Sequence, residues 1–237
     1  MSTLPYILDA DDPSAVPMGL IVLQTDETIE PEFRTIFANN KSPLYVSRIP
    51  SGNEVNTDTL AQMETDLPAA ADLLPKARRY RVVGYGCTSA SSVIGSDQVE
   101  KMVKQTCDVQ TVTNPLRAAT ACAEDRGVSK FALLSPYIEE VNTPLRRAFA
   151  DQGITMDVFG TFGEAEEAKV VRISTESVVE AAIRLGSDSA VDAVFLSCTN
   201  LRTLAAIPRI EKVIRKPVLS SNQSLAWHMK KLNMSQN

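Results

Sequence analysis

The chain has 237 residues, of which 44% are apolar and 22% are charged, the composition of a globular protein with a sizeable core. Its 24 Lys and Arg residues against 29 Asp and Glu residues give a net charge of −5, and aromatic residues make up only 5%. These values argue against a nucleic-acid partner, and the single histidine excludes a multi-histidine metal site. The four cysteines contain no C-x-x-C pair, and we find neither a secretory signal nor an apolar stretch long enough to span a membrane. We therefore expect a cytoplasmic protein with free thiols.

Short apolar, β-branched runs alternate with longer amphipathic stretches, which is typical of an α/β protein with parallel strands. The predicted strands are, in chain order, residues 19–24, 44–49, 81–85, 109–113, 131–134, 154–159, 193–196 and 218–220. The predicted helices are residues 31–39, 57–74, 98–105, 115–126, 144–151, 175–185, 208–214 and 224–232.

An internal repeat divides the chain into two similar halves. The motif GCTS (Gly86–Ser89) parallels SCTN (Ser197–Asn200), and a Glu-Lys pair follows 13 residues after the cysteine in both copies. A separate match, of a Glu, an Arg and a Phe near each predicted first helix, has an offset of 112 residues, against 111 for the cysteines. The near-constant offset predicts two α/β lobes related by duplication. We assign residues 18–116 with 217–237 to the first lobe, 117–216 to the second and 1–17 to an N-terminal extension.

Both repeated cysteines are predicted at the carboxyl ends of strands, where parallel sheets bind their ligands. A pseudo-twofold arrangement would place Cys87 and Cys198 opposite each other across a cleft. Free backbone N–H groups and a helix N-terminus would lower the thiol pKa there and favour thiolate. Polar side chains beside the thiols would form a cradle for a carboxylate or an enediolate, namely Thr88, Ser89, Thr199 and Asn200.

Two opposed thiols suit two reactions. One thiol can remove a proton from a carbon while the other returns one from the far side, or a thiolate can add to an alkene while the other thiol donates a proton. The alternative is that both cysteines only pack the core, as free cysteines often do.

The motifs GCTSASSVIG (Gly86–Gly95), SPY (Ser135–Tyr137) and SCTNLR (Ser197–Arg202) resemble those of the aspartate/glutamate racemase superfamily. The similarity is greatest to the branch of maleate cis-trans isomerase and arylmalonate decarboxylase, and it extends from Gly19 to Trp227. The resemblance implies two pseudo-symmetric flavodoxin-like lobes with the active site between them, a homo-oligomer, no cofactor and no metal. It also implies a catalytic pair, Cys87 and Cys198, and a set of groups that hold a substrate carboxylate: Thr88, Ser89, Tyr137 and the backbone of Cys198 and Thr199.

Several reactions remain open within this resemblance. The decarboxylases resemble one another in having a glycine at the position of Cys87, so they keep only one of the two thiols. The cysteine in this chain therefore favours a cofactor-independent racemase, epimerase or isomerase of a small carboxylate over a decarboxylase. Maleate cis-trans isomerase, an arylmalonate-type decarboxylase and a non-catalytic two-lobed ligand-binding protein are the alternatives.

Asp26 departs from the pattern of the maleate isomerases. These proteins resemble one another in an asparagine at this position, which would bind a substrate carboxylate. An aspartate would repel a dicarboxylate and would suit a cationic group. The stretch QTDETIE (Gln24–Glu30), together with SCTNLRT (Ser197–Thr203), most resembles the ectoine-utilisation branch, which implies a zwitterionic substrate that pairs a carboxylate with a delocalised cation. The alternative role for Asp26 is a helix cap or an Asx turn.

The remaining candidates lack a repeated polar context. We interpret Cys107 and Cys122 as packing residues and His228 as a surface or packing residue of a terminal helix. The acidic stretch at residues 164–167 is interpreted as a solvated loop near the cleft.

Overall fold

The computed structural model of the chain describes residues 3–10, 12 and 15–234. Its strands are β1 (Met18–Leu23), β2 (Leu44–Ile49), β3 (Tyr80–Gly86), β4 (Val109–Thr113), β5 (Lys130–Tyr137), β6 (Thr155–Glu164), β7 (Ala193–Leu196) and β8 (Val218–Ser220). They form two four-stranded parallel sheets, in the orders β2-β1-β3-β4 and β6-β5-β7-β8. The predicted α/β class with two parallel four-stranded sheets is confirmed.

The helices lie between the strands along the chain. They are α1 (Ile29–Ile36), α2 (Thr57–Asp72), α3 (Thr88–Ile94), α4 (Ser96–Thr106), α5 (Pro115–Arg126), α6 (Glu139–Ala150), α7 (Glu167–Val170), α8 (Thr175–Gly186), α9 (Ile207–Ile214) and α10 (Ser221–Met234). The short helices α3 and α7 are absent from the sequence prediction, because seven and four residues give too few turns for a helical period to be recognised.

The strand order determines where each sheet can bind a ligand. In each sheet the second strand along the chain lies on one side of the first strand, and the third strand lies on its other side. A crevice therefore opens at the carboxyl ends of β1 and β3 in the first sheet and of β5 and β7 in the second. The central strand β1 is buried over its whole length, as expected for a strand covered by helices on both faces. The polar residues that follow these central strands therefore face one another at the crevice.

The hydrophobic core joins the two sheets. One continuous cluster contains Ile21 and Val83 of the first sheet and Leu134 and Leu196 of the second. The lobe boundaries stay a prediction. Residues 217–237 are expected in the first lobe, and α10 does pack on the first sheet, but β8 pairs with β7 and belongs to the second sheet. The predicted extension at residues 1–17 lies partly outside the described residues.

No helix in the described part of the chain combines the length and the hydropathy that are needed to cross a bilayer.

Helix α10 should contribute directly to the stability of the first sheet. Met229 is fully buried, and a Cβ added at Gly84 would lie 2.6 Å from its sulfur, so the helix and β3 are in close contact. We expect Met229→Ala to lower the free energy of unfolding by about 2–5 kcal/mol through the cavity that it leaves. Urea denaturation followed by circular dichroism measures this, with Met234→Ala, a 79% exposed methionine of the same helix, as the control. Equal effects of the two variants would contradict the packing of α10.

Candidate active site

Cys87 lies at the crevice of the first sheet. It is the residue between β3 and α3, and its extended backbone (φ −146°, ψ 114°) makes it the N-cap of the helix. Its Sγ accepts a hydrogen bond from the backbone N–H of Ala90 at 3.4 Å. The side chain is only 4% exposed. The sequence-predicted position at a strand end is therefore the position that the structure shows.

Cys198 lies at the equivalent crevice of the second sheet, two residues after β7, and is 2% exposed. Its Sγ accepts a hydrogen bond from the Asn200 N–H at 3.2 Å and lies 3.0 Å from the Tyr137 hydroxyl. Its φ of 96° is in the left-handed region that favours glycine. Such a backbone costs about 1–3 kcal/mol and occurs mainly at functional sites.

Hydrogen bonds join the two cysteine loops across the lobes. The Thr199 hydroxyl donates to the Gly86 carbonyl at 3.2 Å. Ser221 Oγ accepts from the Thr88 hydroxyl at 2.8 Å and from the Cys198 N–H at 3.1 Å. Ser221 is absent from the sequence predictions, and its place after β8, at the end of a strand, is the only signal that points to it. The Thr88 hydroxyl is thus engaged with Ser221.

Glu167 is a buried carboxylate beside Cys198, and the interpretation of residues 164–167 as a solvated loop is wrong for it. It is 2% exposed, because it begins α7 and its side chain points inward. Its Oε1 accepts from the Tyr137 hydroxyl at 2.5 Å, and its Oε2 accepts from Asn200 Nδ2 at 2.6 Å. The Tyr137 hydroxyl therefore lies between the Glu167 carboxylate and the Cys198 sulfur.

Asp26 is 2% exposed and lies at the end of β1. Its Oδ1 accepts from the N–H groups of Thr28 and Ile29, both at 2.8 Å, so one oxygen has the capping role considered from the sequence. Its Oδ2 accepts no hydrogen bond within bonding distance from the described residues. The Thr199 hydroxyl, which donates to the Gly86 carbonyl, lies near enough to lower the pKa of Asp26 against the larger effect of burial.

A small closed cavity lies at this site. Cys87, Ser89, Tyr137 and Glu167 are among its lining residues, and its volume of about 10 Å³ leaves room for about one water molecule. Two chain segments, residues 53–55 and 165–167, pair beside it, and we call them the strap. The Val55 N–H donates to the Ala165 carbonyl and the Glu167 N–H to the Asn53 carbonyl, each at 3.0 Å. The cavity is therefore too small for anything larger than water in this conformation.

Burial dominates the acid–base properties of the site. It raises the pKa of Cys87 to about 12, against the opposing hydrogen bond from Ala90, and it raises the pKa of Cys198 well above its usual value. The expectation that a helix N-terminus favours thiolate here is therefore wrong for the closed site, where both thiols carry their protons. Burial also raises the pKa of Glu167 and of Asp26.

The other cysteines and the histidine lie elsewhere. All four cysteines are free, and burial raises the pKa of both Cys107 and Cys122 to about 11. His228 stacks on Trp227, its Nδ1 lies 2.8 Å from the Thr113 hydroxyl, and burial lowers its pKa to about 4. Within the described ranges, no group of three or more His, Cys, Asp or Glu residues is arranged to hold a metal ion.

Comparisons with known proteins place this chain in a family. A family model for arylmalonate decarboxylase matches residues 18–236, and the chain therefore belongs to that family. The chain is 26% identical to a maleate isomerase of Alcaligenes faecalis over 233 residues, which cover 90% of this chain and 89% of that protein. It is 32% identical to an arylmalonate decarboxylase of Bordetella bronchiseptica over 119 residues, only 49% of this chain and 46% of that protein.

Solved structures show the same fold. The maleate isomerase Iso from Pseudomonas putida S16 has a TM-score of 0.78 at 20% identity, with 91% of this chain and 92% of that chain covered. The Nocardia farcinica maleate cis-trans isomerase with a covalently bound succinylcysteine intermediate has a TM-score of 0.78 at 22% identity, with 92% of each chain covered. The resemblance to the maleate isomerase and arylmalonate decarboxylase branch is confirmed, and the ectoine-utilisation assignment stays a prediction.

The positive φ of Cys198 should be visible in stability. We expect Cys198→Gly to have a free energy of unfolding about 1 kcal/mol higher than Cys198→Ala, because glycine adopts φ 96° without a Cβ clash. Chemical denaturation of the two variants measures the difference. At Cys122, inside α5, the order should reverse by about 1 kcal/mol because glycine weakens a helix interior. An alanine variant at position 198 as stable as the glycine variant would show that the loop relaxes without strain.

Opening of the strap should control access to both thiols. Glu54 and Glu166 are antiparallel bridge partners, so a double variant, Glu54→Cys with Glu166→Cys, should form a disulfide that locks the strap. We expect oxidation to slow the alkylation of Cys87 and Cys198 by iodoacetamide at least about tenfold, as read by peptide mass spectrometry, and reduction to restore it. The single variant Glu54→Cys is the control. Alkylation at the same rate in both redox states would reject the strap as the barrier.

Proposed function

We propose that the chain is a cofactor-independent isomerase of a small carboxylate, a racemase, epimerase or cis-trans isomerase, that uses Cys87 and Cys198 as opposed thiols. The observation that carries this proposal is their matched placement. Each thiol follows the third strand of its sheet, and Tyr137, which contacts Cys198, lines the same cavity as Cys87. Core packing alone does not explain two thiols at equivalent crevices, one of them on a strained backbone.

The two thiols can perform either isomerisation with balanced protons. In a racemisation, one thiolate takes the proton from the carbon beside the carboxylate, the carboxylate becomes an enediolate, and the opposite thiol returns a proton. In a cis-trans isomerisation, one thiolate bonds to an alkene carbon while the other thiol protonates the neighbouring carbon. Rotation about the new single bond, return of that proton and departure of the thiolate complete the reaction.

The surroundings of the cavity supply the other requirements of this chemistry. Ser89 lines the cavity together with Cys87, and in this proposal it holds a substrate carboxylate, whereas the Thr88 hydroxyl donates to Ser221. Closure of the strap excludes water, which strengthens hydrogen bonds to a developing enediolate. The partners in this proposal are a small carboxylate and further copies of the chain.

Maleate cis-trans isomerase is the second candidate. The match to the Alcaligenes faecalis maleate isomerase over 90% of the chain favours it, whereas the match to the decarboxylase covers 49%. An ectoine-type zwitterion is the alternative substrate, because Asp26 stands at a position where a dicarboxylate would be repelled.

Replacement of either thiol tests the mechanism. We expect Cys87→Ser and Cys198→Ser to lower turnover at least about 10³-fold while the far-ultraviolet circular dichroism stays unchanged. Incubation of the protein with candidate carboxylates in D₂O, followed by NMR, measures exchange at the carbon beside the carboxylate and the conversion of maleate to fumarate.

Cys107→Ser and Cys122→Ser are matched controls, since both thiols are buried outside the cavity, and each should retain activity. Full activity in either Cys87→Ser or Cys198→Ser would reject the two-thiol mechanism. Conversion of maleate by the unaltered protein would select the second candidate.

A further inference from the structure

The charges around the cavity are all of one sign. Its lining contains Glu54, which is exposed, and Glu167, which is buried, and none of the described residues that line it is Lys, Arg or His. Asp26 lies close enough for its charge to raise the pKa of Cys87, of Cys198 and of Glu167. When these carboxyl groups are ionised, they give the site a negative potential.

Glu167 has hydrogen-bond partners but no cation. In the described part of the chain, its two oxygens accept from a tyrosine hydroxyl and an amide, both uncharged. A carboxylate has about four acceptor positions, so Glu167 retains capacity for further donors. A buried anion without a cation is costly, and in other proteins such groups are paired or take up a proton.

Two cations in this region, Arg48 and Lys169, already have partners. Arg48 donates to the carbonyl oxygens of Leu23 and Asp26 and forms an ion pair with Glu30, with its own side chain 43% exposed. Lys169, two residues after Glu167, forms an ion pair with Glu166 at the surface. The pairing that Glu167 lacks is therefore left for a ligand to supply.

Asp26 gives a second, independent indication. It is 2% exposed, and its Oδ2 accepts no hydrogen bond within bonding distance from the described residues. A dicarboxylate bound beside Asp26 and Glu167 would bring two more negative charges into a site with low effective dielectric, where like charges repel strongly. A cation bound there would be attracted by both.

We propose that Glu167 is a specificity-determining residue that binds a cationic group of the substrate, so that the ligand is a small carboxylate carrying an ammonium, amidinium or guanidinium group. This inference rests on the proposed function and narrows its substrate class. In this proposal Ser89 holds the carboxylate end of the ligand and Glu167 holds the cationic end, and both residues line the cavity.

The cation also prepares the thiols for reaction. The charge of Glu167 raises the pKa of Cys198 and of Cys87, in addition to the larger effect of burial. A bound cation compensates that charge, so ligand binding favours the thiolate that the reaction needs. Empty closed sites keep their thiols protonated, and occupied sites allow one of them to ionise.

A pair of isosteric probes tests the substrate class. Guanidinoacetate carries a guanidinium group, and N-carbamoylglycine has the same shape with a neutral urea in its place. We expect guanidinoacetate to protect Cys87 and Cys198 from iodoacetamide at a concentration at least about tenfold lower than N-carbamoylglycine, because only the former can pair with Glu167. Peptide mass spectrometry measures the modification of each thiol.

Charge variants at Glu167 identify the residue responsible. Glu167→Gln should remove the preference for guanidinoacetate and strengthen protection by maleate at least about tenfold, whereas Glu167→Asp, which keeps the charge, should retain the preference. Glu166→Gln is the matched control, because its carboxylate pairs with Lys169 at the surface, and it should leave the ratio of the two probes unchanged.

Equal protection by the two probes, no protection by either, or an unchanged ratio in Glu167→Gln would overturn the inference. These outcomes are separable from a failure of the proposed function. If Cys87→Ser and Cys198→Ser retain turnover but the probe ratio depends on Glu167, the two-thiol mechanism fails and the substrate class stands. If both thiols are essential and the ratio does not depend on Glu167, only the substrate class fails.

Discussion

Exclusion of water from the junction of the two sheets is the constraint on which the rest of the site depends. Cys87, Cys198, Tyr137 and Glu167 are all at most 5% exposed. Groups with this burial retain their protons or need a partner, and their hydrogen bonds are stronger than in water. The Tyr137 hydroxyl and the Asn200 side chain both donate to the Glu167 carboxylate, and the Asn200 backbone N–H donates to the Cys198 sulfur. Both lobes contribute to the closed site, so neither forms it alone.

The equivalent order of the two sheets explains the placement of the thiols but not their surroundings. Each half brings a cysteine to the carboxyl end of its third strand, yet the first is an N-cap with an extended backbone and the second has a positive φ. Tyr137 contacts Cys198 within one half, whereas Thr88 reaches the other half through Ser221. Two thiols in unequal environments are suited to unequal roles, one as acid and one as base or nucleophile.

The sequence predicts the parts of this arrangement that depend on local pattern. Alternating strands and helices, the repeat around Cys87 and Cys198, and their position at strand ends follow from periodicity and spacing. Glu167 does not, because its partners Tyr137 and Asn200 are 30 and 33 residues away and no local pattern distinguishes a buried glutamate from its solvated neighbours. The prediction of a lowered thiol pKa is wrong for the same reason. The influence of a helix N-terminus can be inferred locally, whereas the burial that raises the pKa of Cys87 depends on the assembled fold.

The continuous core that joins the sheets has a consequence for motion. Because Ile21 and Leu134 belong to one packed cluster, separation of the lobes as rigid bodies would expose that core to water. The strap, by contrast, is held by a few backbone hydrogen bonds, including those of Val55 and Glu167. We therefore expect its amides to exchange with solvent through a local opening that leaves the sheets intact, rather than through global unfolding.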